Sequence, residues 1–294
     1  MDWFSLAFIS ALFSAVAAVS QKKILFKLSA LDFSLLLSIF SFIFSIPFFI
    51  GINFASLNTT SLLILLCKNI LGAFAFLYVM LSIKNLEISQ ALPLLALTPG
   101  FVAIFAFITI GDSLSLDEVL GIVLLLIGTY ILESKANQSV LEPFKVFYKS
   151  KKYRYVIVAL ILLTTTSILD RFLLNKSQNV IGPVAFMAFQ QLFLGVIFLI
   201  IYFFSSHSFK KLSASVDKNI LFWVIIIALL TIGYRYTQIE ATKLAPAAMV
   251  LAVKRISVFF AAIIGGKIFK EQRLLVKAAA TAIIIAGVFL ISAV

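Results

Sequence analysis

The chain has 294 residues, 63% of them hydrophobic and 12% charged, with a net charge of +12 and a mean hydropathy of +1.15. No soluble core absorbs that much apolar sequence, so composition excludes a soluble globular protein and places the chain in a bilayer. A single cysteine excludes an intrachain disulfide and a cysteine metal cluster, and the positive surplus falls to loops and to sites within the spans.

A membrane-spanning helix needs about 20 predominantly apolar residues. In chain order the predicted spans are 3–20, 32–52, 61–83, 89–110, 117–133, 155–174, 184–204, 219–241, 245–269 and 275–293. The first opens on Met1, Asp2 and Trp3, without a basic residue, and is followed by Gln21, Lys22 and Lys23. With no basic leader and no small-residue cleavage site, it reads as a retained helix. In the third, Cys67 reads as a small buried hydrophobe, next to Lys68 and Asn69, with Tyr78 further along. Gln90 opens the fourth, whose Pro93 and Pro99 free carbonyls and bend the helix, a predicted kink or gating element.

The polar stretch that follows carries Lys135, Lys145, Lys149, Lys151, Lys152 and Arg154 and divides the ten helices five and five. The predicted organisation is a first repeat over 1–133, a basic linker over 134–154 and a second repeat over 155–294. Sliding the chain by 159 residues sets Lys84 on Lys243, Phe101 on Phe260, Asp112 on Glu271 and Gly128 on Gly287. An odd number of helices per half turns the halves over relative to one another, which puts a substrate site at the midplane between them. One alternating set of loops holds about 17 basic residues and the other about three, so the linker is predicted cytoplasmic and both termini outside.

In the sixth helix Asp170 and Arg171 follow Thr164, Thr165, Thr166 and Ser167, hydroxyls able to bond carbonyls one turn back. His207, the one histidine, lies in the next cytoplasmic loop with no carboxylate near it in sequence. No metal site, catalytic triad, phosphate-binding loop or dinucleotide fingerprint is expected, and no cofactor or catalytic residue is predicted. The eighth helix begins apolar and then reads Tyr234, Arg235, Tyr236, Gln238 and Glu240; Arg235 and one flanking tyrosine are expected to line a cavity. In the tenth, Ala278, Ala282 and Ala286 have the spacing of a close helix-packing face, with dimerisation as the alternative use.

The ninth helix carries Lys254 and Arg255 side by side in an otherwise apolar run. Each charge at mid-membrane opposes insertion by roughly 2.5–3.5 kcal/mol. Inside the spans Lys68, Arg171, Arg235, Lys254 and Arg255 stand against Asp170 and Glu240, a surplus of about three cations that an anionic ligand would complete. Neighbouring residues on a helix point about 100° apart, so both members of the pair can border one cavity without sharing a face. The structural alternative is that one pairs with Asp170 or Glu240 and the other snorkels.

The stretch 91–132, with Pro99 followed by Asp112, Gly121 and Gly128, resembles the fourth and fifth helices of the EamA family in the drug/metabolite transporter superfamily. The stretch 245–291, with Glu271 and Gly287, is similar to the second copy. That resemblance implies ten helices, a central basket-shaped cavity and secondary transport of a small metabolite. Where the first half has Pro99, the second reads Val253-Lys254-Arg255-Ile256-Ser257-Val258, and such a Lys-Arg pair is similar to the plastid triose-phosphate and phosphate translocators. This second resemblance implies that Lys254 and Arg255 hold an anion, although the lysine those translocators use in the fourth helix has no counterpart here.

The expectation is therefore an all-α membrane protein of ten transmembrane helices, two inverted five-helix repeats around a central cavity. It would move a small anionic metabolite, phosphorylated or carboxylated, across the plasma membrane by alternating access. The alternatives are export of amino acids or other neutral metabolites, and flipping of a lipid-linked phosphate. The expected substrate-binding set is Lys254, Arg255, Arg235, Tyr234, Tyr236, Arg171, Asp170, Lys68, Tyr78 and Gln90. Expected partners are the small molecule and the bilayer, with no nucleic acid, because the basic residues are distributed by topology. The chain would act as a monomer or weak homodimer.

Overall fold

In hydrocarbon every backbone amide and carbonyl must find a partner within the protein, and for long apolar runs the α-helix supplies them all. The computed structural model describes residues 2–52, 54, 57–110, 115–133, 150–173, 181–245 and 247–292, and among these there is no strand. The first half comprises α1 Trp3–Leu25, α2 Ala30–Ser45 extended by a 3₁₀ turn Ile46–Gly51, α3 Thr59–Asn85, α4 Ile88–Leu95, α5 Thr98–Ile110 and α6 Leu116–Glu133. The second comprises α7 Lys151–Leu173, α8 Pro183–Phe204, the short α9 Phe209–Ser215, α10 Lys218–Leu244, α11 Ala247–Ile268 and α12 Leu274–Ser292. Eight helical stretches are long and apolar enough to cross a membrane. The other two predicted positions are also helical: α6, with three acids, and α11, with the Lys254–Arg255 pair.

Several expectations change in detail. The fourth span is not one helix but α4 and α5, separated at Ala96 and Leu97. Pro93 lies inside α4 and Pro99 in the first turn of α5; two missing amides within six residues interrupt the ladder rather than merely bending it. Most of the predicted linker, 134–149, lies outside the described residues, whereas Lys151, Lys152 and Arg154 already belong to α7. Cys67 is exposed, not buried: Lys68 and Asn69 take the inward face of α3, and the cysteine one position earlier is turned outward.

Helix contacts repeat under exchange of the halves. The α3–α7 contact is matched by α10–α1, α2–α10 by α8–α3, and α1–α11 by the packing of α4 and α5 on α7. The pairs α2–α8, α4–α11 and α6–α12 match themselves. The α6–α12 seam is the most extensive, and glycine makes it possible. A Cβ on Gly287 would lie 2.7 Å from the Gly121 carbonyl oxygen, and one on Gly121 the same distance from the Gly287 oxygen. The seam uses Ala280, Ile284 and Gly287, a helical stripe, while Ala282 and Ala286 are exposed. The predicted packing face at Ala278, Ala282 and Ala286 is thus displaced by two residues, about 200° around the helix.

At one end of the bundle the α3–α4 connection is tied down by charged side chains from elsewhere. Buried Lys22 of α1 donates to the carbonyls of Ile83 and, at 2.6 Å, Leu86, satisfying the C-terminus of α3. Glu87, at the N-cap position of α4, makes no side-chain cap and instead pairs with Lys277 of α12. The cap comes from the other half: Glu271 accepts from the amides of Ile88 (2.7 Å) and Ser89 (3.1 Å) and from the Ser89 hydroxyl. Glu271 reaches them from a tight turn whose flanking Lys270 and Arg273 both have φ 55°. The largest apolar cluster, including Ile24, Leu25, Leu28, Ile83, Leu86, Ala91 and Leu94, fills this end.

Gly287→Leu should lower stability by about 1–3 kcal/mol by forcing the α6–α12 seam apart. A fall in melting temperature in detergent checks this, with Gly72→Ala, whose Cβ would meet only Asn69 Oδ1 at 3.9 Å, as an unharmed control. Glu271→Ala, which orphans the donors at the start of α4, should cost about 1–3 kcal/mol in the same assay, with Glu271→Gln falling between it and the wild type.

Candidate functional site

A second group of polar side chains lies toward the opposite end, on α2, α3, α7, α8, α10 and α11. Lys68 of α3 is only 3% exposed and forms an ion pair with Asp170 of α7 at 2.8 Å. Its ammonium also lies 4.9 Å from the centre of the Phe186 ring on α8. A lysine this far inside would be strongly unfavourable alone; the carboxylate and the ring together make its charge tenable. Asn69 beside it donates to the Leu65 carbonyl at 2.9 Å. Along α7, Thr165 and Thr166 bond the carbonyls of Ile161 and Leu163, the backbone role expected for them.

Next to this pair is a cavity with about 440 Å³ of space free of atoms, part of it open to the exterior. Leu37, Phe76, Leu194 and Phe198 form its apolar wall. Its polar wall is Ser38 and Ser41 of α2, Gln190 and Gln191 of α8, and Thr231, Tyr234 and Arg235 of α10. Arg235 Nε is buried and has no hydrogen-bond partner among the described residues; the same holds for Ser41 Oγ. Ser10 of α1 fixes this turn of α10 from behind by donating to the Tyr234 carbonyl at 2.8 Å.

Lys254 of α11 lies over the Tyr234 ring, 4.5 Å from its centre, and donates to Gln238 Oε1. Tyr234 and Gln238 are one turn apart on α10, so a single helix face receives the ammonium. The Arg235 guanidinium is 6.0 Å from the same ring. Arg255 is half-buried and forms no ion pair among the described residues. Three cations thus cluster where α10 meets α11, and no carboxylate lines the cavity among the described residues.

Of the predicted residues, Tyr234 and Arg235 line the cavity, Lys254 contacts Tyr234 without lining it, and Lys68 pairs with Asp170 nearby. Asp170 partners Lys68 rather than the Lys-Arg pair. Of the two tyrosines flanking Arg235, Tyr236 is 44% exposed and packs on Phe48, away from the cavity. The Arg171 side chain lies outside the described residues. Tyr78 and Gln90 form a separate group toward the start of α7: Gln90 donates to the Tyr153 hydroxyl at 2.9 Å, and the rings of Tyr78 and Tyr155 are 6.2 Å apart. Neither lines the cavity. Pro93 and Pro99 sit at the α4–α5 break.

Sequence reasoning missed Gln190, Gln191, Ser38 and Ser41. The signals were present: two adjacent glutamines in an otherwise apolar helix, and buried serines at 34, 38, 41 and 45 with helical spacing along α2.

Compared with known families, the chain matches the EamA-like transporter family over residues 1–134 and 151–293. No curated protein matches it. Among solved structures, a crystal structure of a protein 12% identical in sequence has a TM-score of 0.64, covering 98% of this chain and 95% of that one, a likeness of fold alone.

Asp170→Leu should strand a buried ammonium and lower stability by about 3 kcal/mol, while adding Lys68→Met recovers most of the loss. A double-mutant cycle on thermal unfolding measures the coupling; simple additivity would mean that the pair contributes nothing.

Proposed function

Because the chain belongs to the EamA-like transporter family, and so is a multi-pass membrane transporter of the drug/metabolite transporter superfamily, we propose that its cargo is a small organic anion, carboxylated or phosphorylated. The observation supporting this reading is the uncompensated positive charge at the cavity. Among the described residues Lys68 is matched by Asp170, whereas Arg235 faces the space with an unpartnered donor and Lys254 meets only an aromatic ring and a neutral amide. Cations removed from water without counter-charge are unfavourable, and a bound carboxylate or phosphate would supply both the charge and the acceptors.

In this reading Arg235 grips the anionic group, Lys254 adds a mobile point charge, Arg255 approaches from the same turn of α11, and Tyr234 supports both nearer cations. The ten helical segments each cross the bilayer, and the halves are inverted, with both termini outside and the Lys22 end cytoplasmic. The repeated contact pattern and the distribution of loop lysines support this arrangement. The Lys22 end, capped and filled with apolar side chains, is the closed gate, and the polar cavity serves the opposite side. Transport proceeds by alternating access, with the α4–α5 break as the flexible point of the closed end.

Arg235→Met and Lys254→Met should each reduce uptake of organic anions into proteoliposomes about tenfold or more, the loss of one charge-assisted contact. Neither should lower the melting temperature, because each removes a poorly compensated charge. Normal transport by both variants would defeat the anion reading.

A further inference from the structure

Resting on the anionic reading above, we propose that the cargo is a hydroxylated acid, an anionic group on a chain bearing several hydroxyls, and not an amino acid. The cavity's neutral groups carry this inference. Ser38 uses its proton on the Leu35 carbonyl at 2.9 Å, and Thr231 uses its own on the Ile227 carbonyl at 2.7 Å. What these two present to the cavity is therefore lone pairs, which need a ligand that donates. Ser41 Oγ is buried without a partner among the described residues, and the carboxamides of Gln190 and Gln191, 8% and 5% exposed, can both donate and accept. Arg235 Nε needs an acceptor.

One ligand chemistry satisfies this set. A carboxylate or phosphate answers Arg235, and hydroxyl groups, which donate and accept at once, answer the serines, the threonine and the glutamines. An acid with a plain hydrocarbon chain would cover Ser41, Gln190 and Gln191 with methylenes and leave them desolvated and unpaired. An ammonium could donate to Ser38 and Thr231, but it would enter a cavity lined by Arg235 and neighboured by Lys254, with no lining carboxylate among the described residues to receive it. The nearby acid, Asp170, is held by Lys68. The apolar wall of Leu37, Phe76, Leu194 and Phe198 then faces the carbon backbone of the ligand.

The test is ligand-induced thermal stabilisation of the purified full-length protein, with proteoliposome uptake as confirmation. The probes are gluconate, glucose 6-phosphate, hexanoate, norleucine and sorbitol. Gluconate or glucose 6-phosphate should stabilise at concentrations at least about tenfold below those needed for hexanoate, norleucine or sorbitol, and whichever responds identifies the anionic end. Ser41→Ala and Gln191→Leu should each raise the half-saturating concentration about tenfold, and their own melting temperatures report whether they fold. Hexanoate equal to gluconate overturns the hydroxyl inference and leaves the anion reading standing. Sorbitol binding without either hydroxylated anion overturns the anion reading itself. Norleucine binding more tightly than both hydroxylated anions overturns the exclusion of amino acids, and no response to the two hydroxylated anions overturns the proposal.

Discussion

A charge inside an apolar bundle must be answered by something, and the architecture follows from how each one is answered. Lys22 is met by the carbonyls that end α3, and Glu271 by the amides that begin α4. Lys277 meets Glu87, and Lys68 meets Asp170. All but the first of these matches reach across the two halves, and together they decide which helix ends stay together. Among the described residues, Arg235 keeps a buried donor without a partner, and Lys254 meets a ring and a neutral amide in place of a counter-charge.

The halves share a contact pattern but not a chemistry. Repeat positions 95 and 96 are Leu95 and Ala96 in the first half, both buried beside the break between α4 and α5. The same positions in the second half are Lys254 and Arg255, in an unbroken α11. One scaffold position thus interrupts a helix in one copy and presents cations in the other. The contact frame is common to both halves, whereas the cations at this position belong to one of them.

Much of the fold was legible in the sequence, because a helix in lipid is constrained chiefly by length and apolarity, and both can be read along the chain. Direction around each helix was harder. With apolar residues on the lipid face and in the core alike, hydrophobic periodicity no longer separates inside from outside, so Cys67 and the Ala278, Ala282 and Ala286 stripe were assigned the wrong faces. Arg235, Tyr234 and Lys254 stood out because charge in an apolar run needs a cause. Gln190, Gln191 and Ser41 did not, since neutral polar residues are tolerated in spans, and their common position emerges only when α2 and α8 are seen to face α10 across the cavity. The Lys68–Asp170 pair joins residues far apart in sequence, a partnership that composition cannot specify.

The outward turn of Cys67 makes the protein its own labelled specimen. It is the only thiol in the chain, it is exposed, and it precedes in sequence the lysine that holds Asp170. A fluorophore or spin label attached there occupies one defined place on the outer surface of α3 without any background cysteine to remove. Facing away from the buried ion pair, the label would leave Lys68 and Asp170 undisturbed, so the sequence already supplies an attachment point on the helix that carries the lysine.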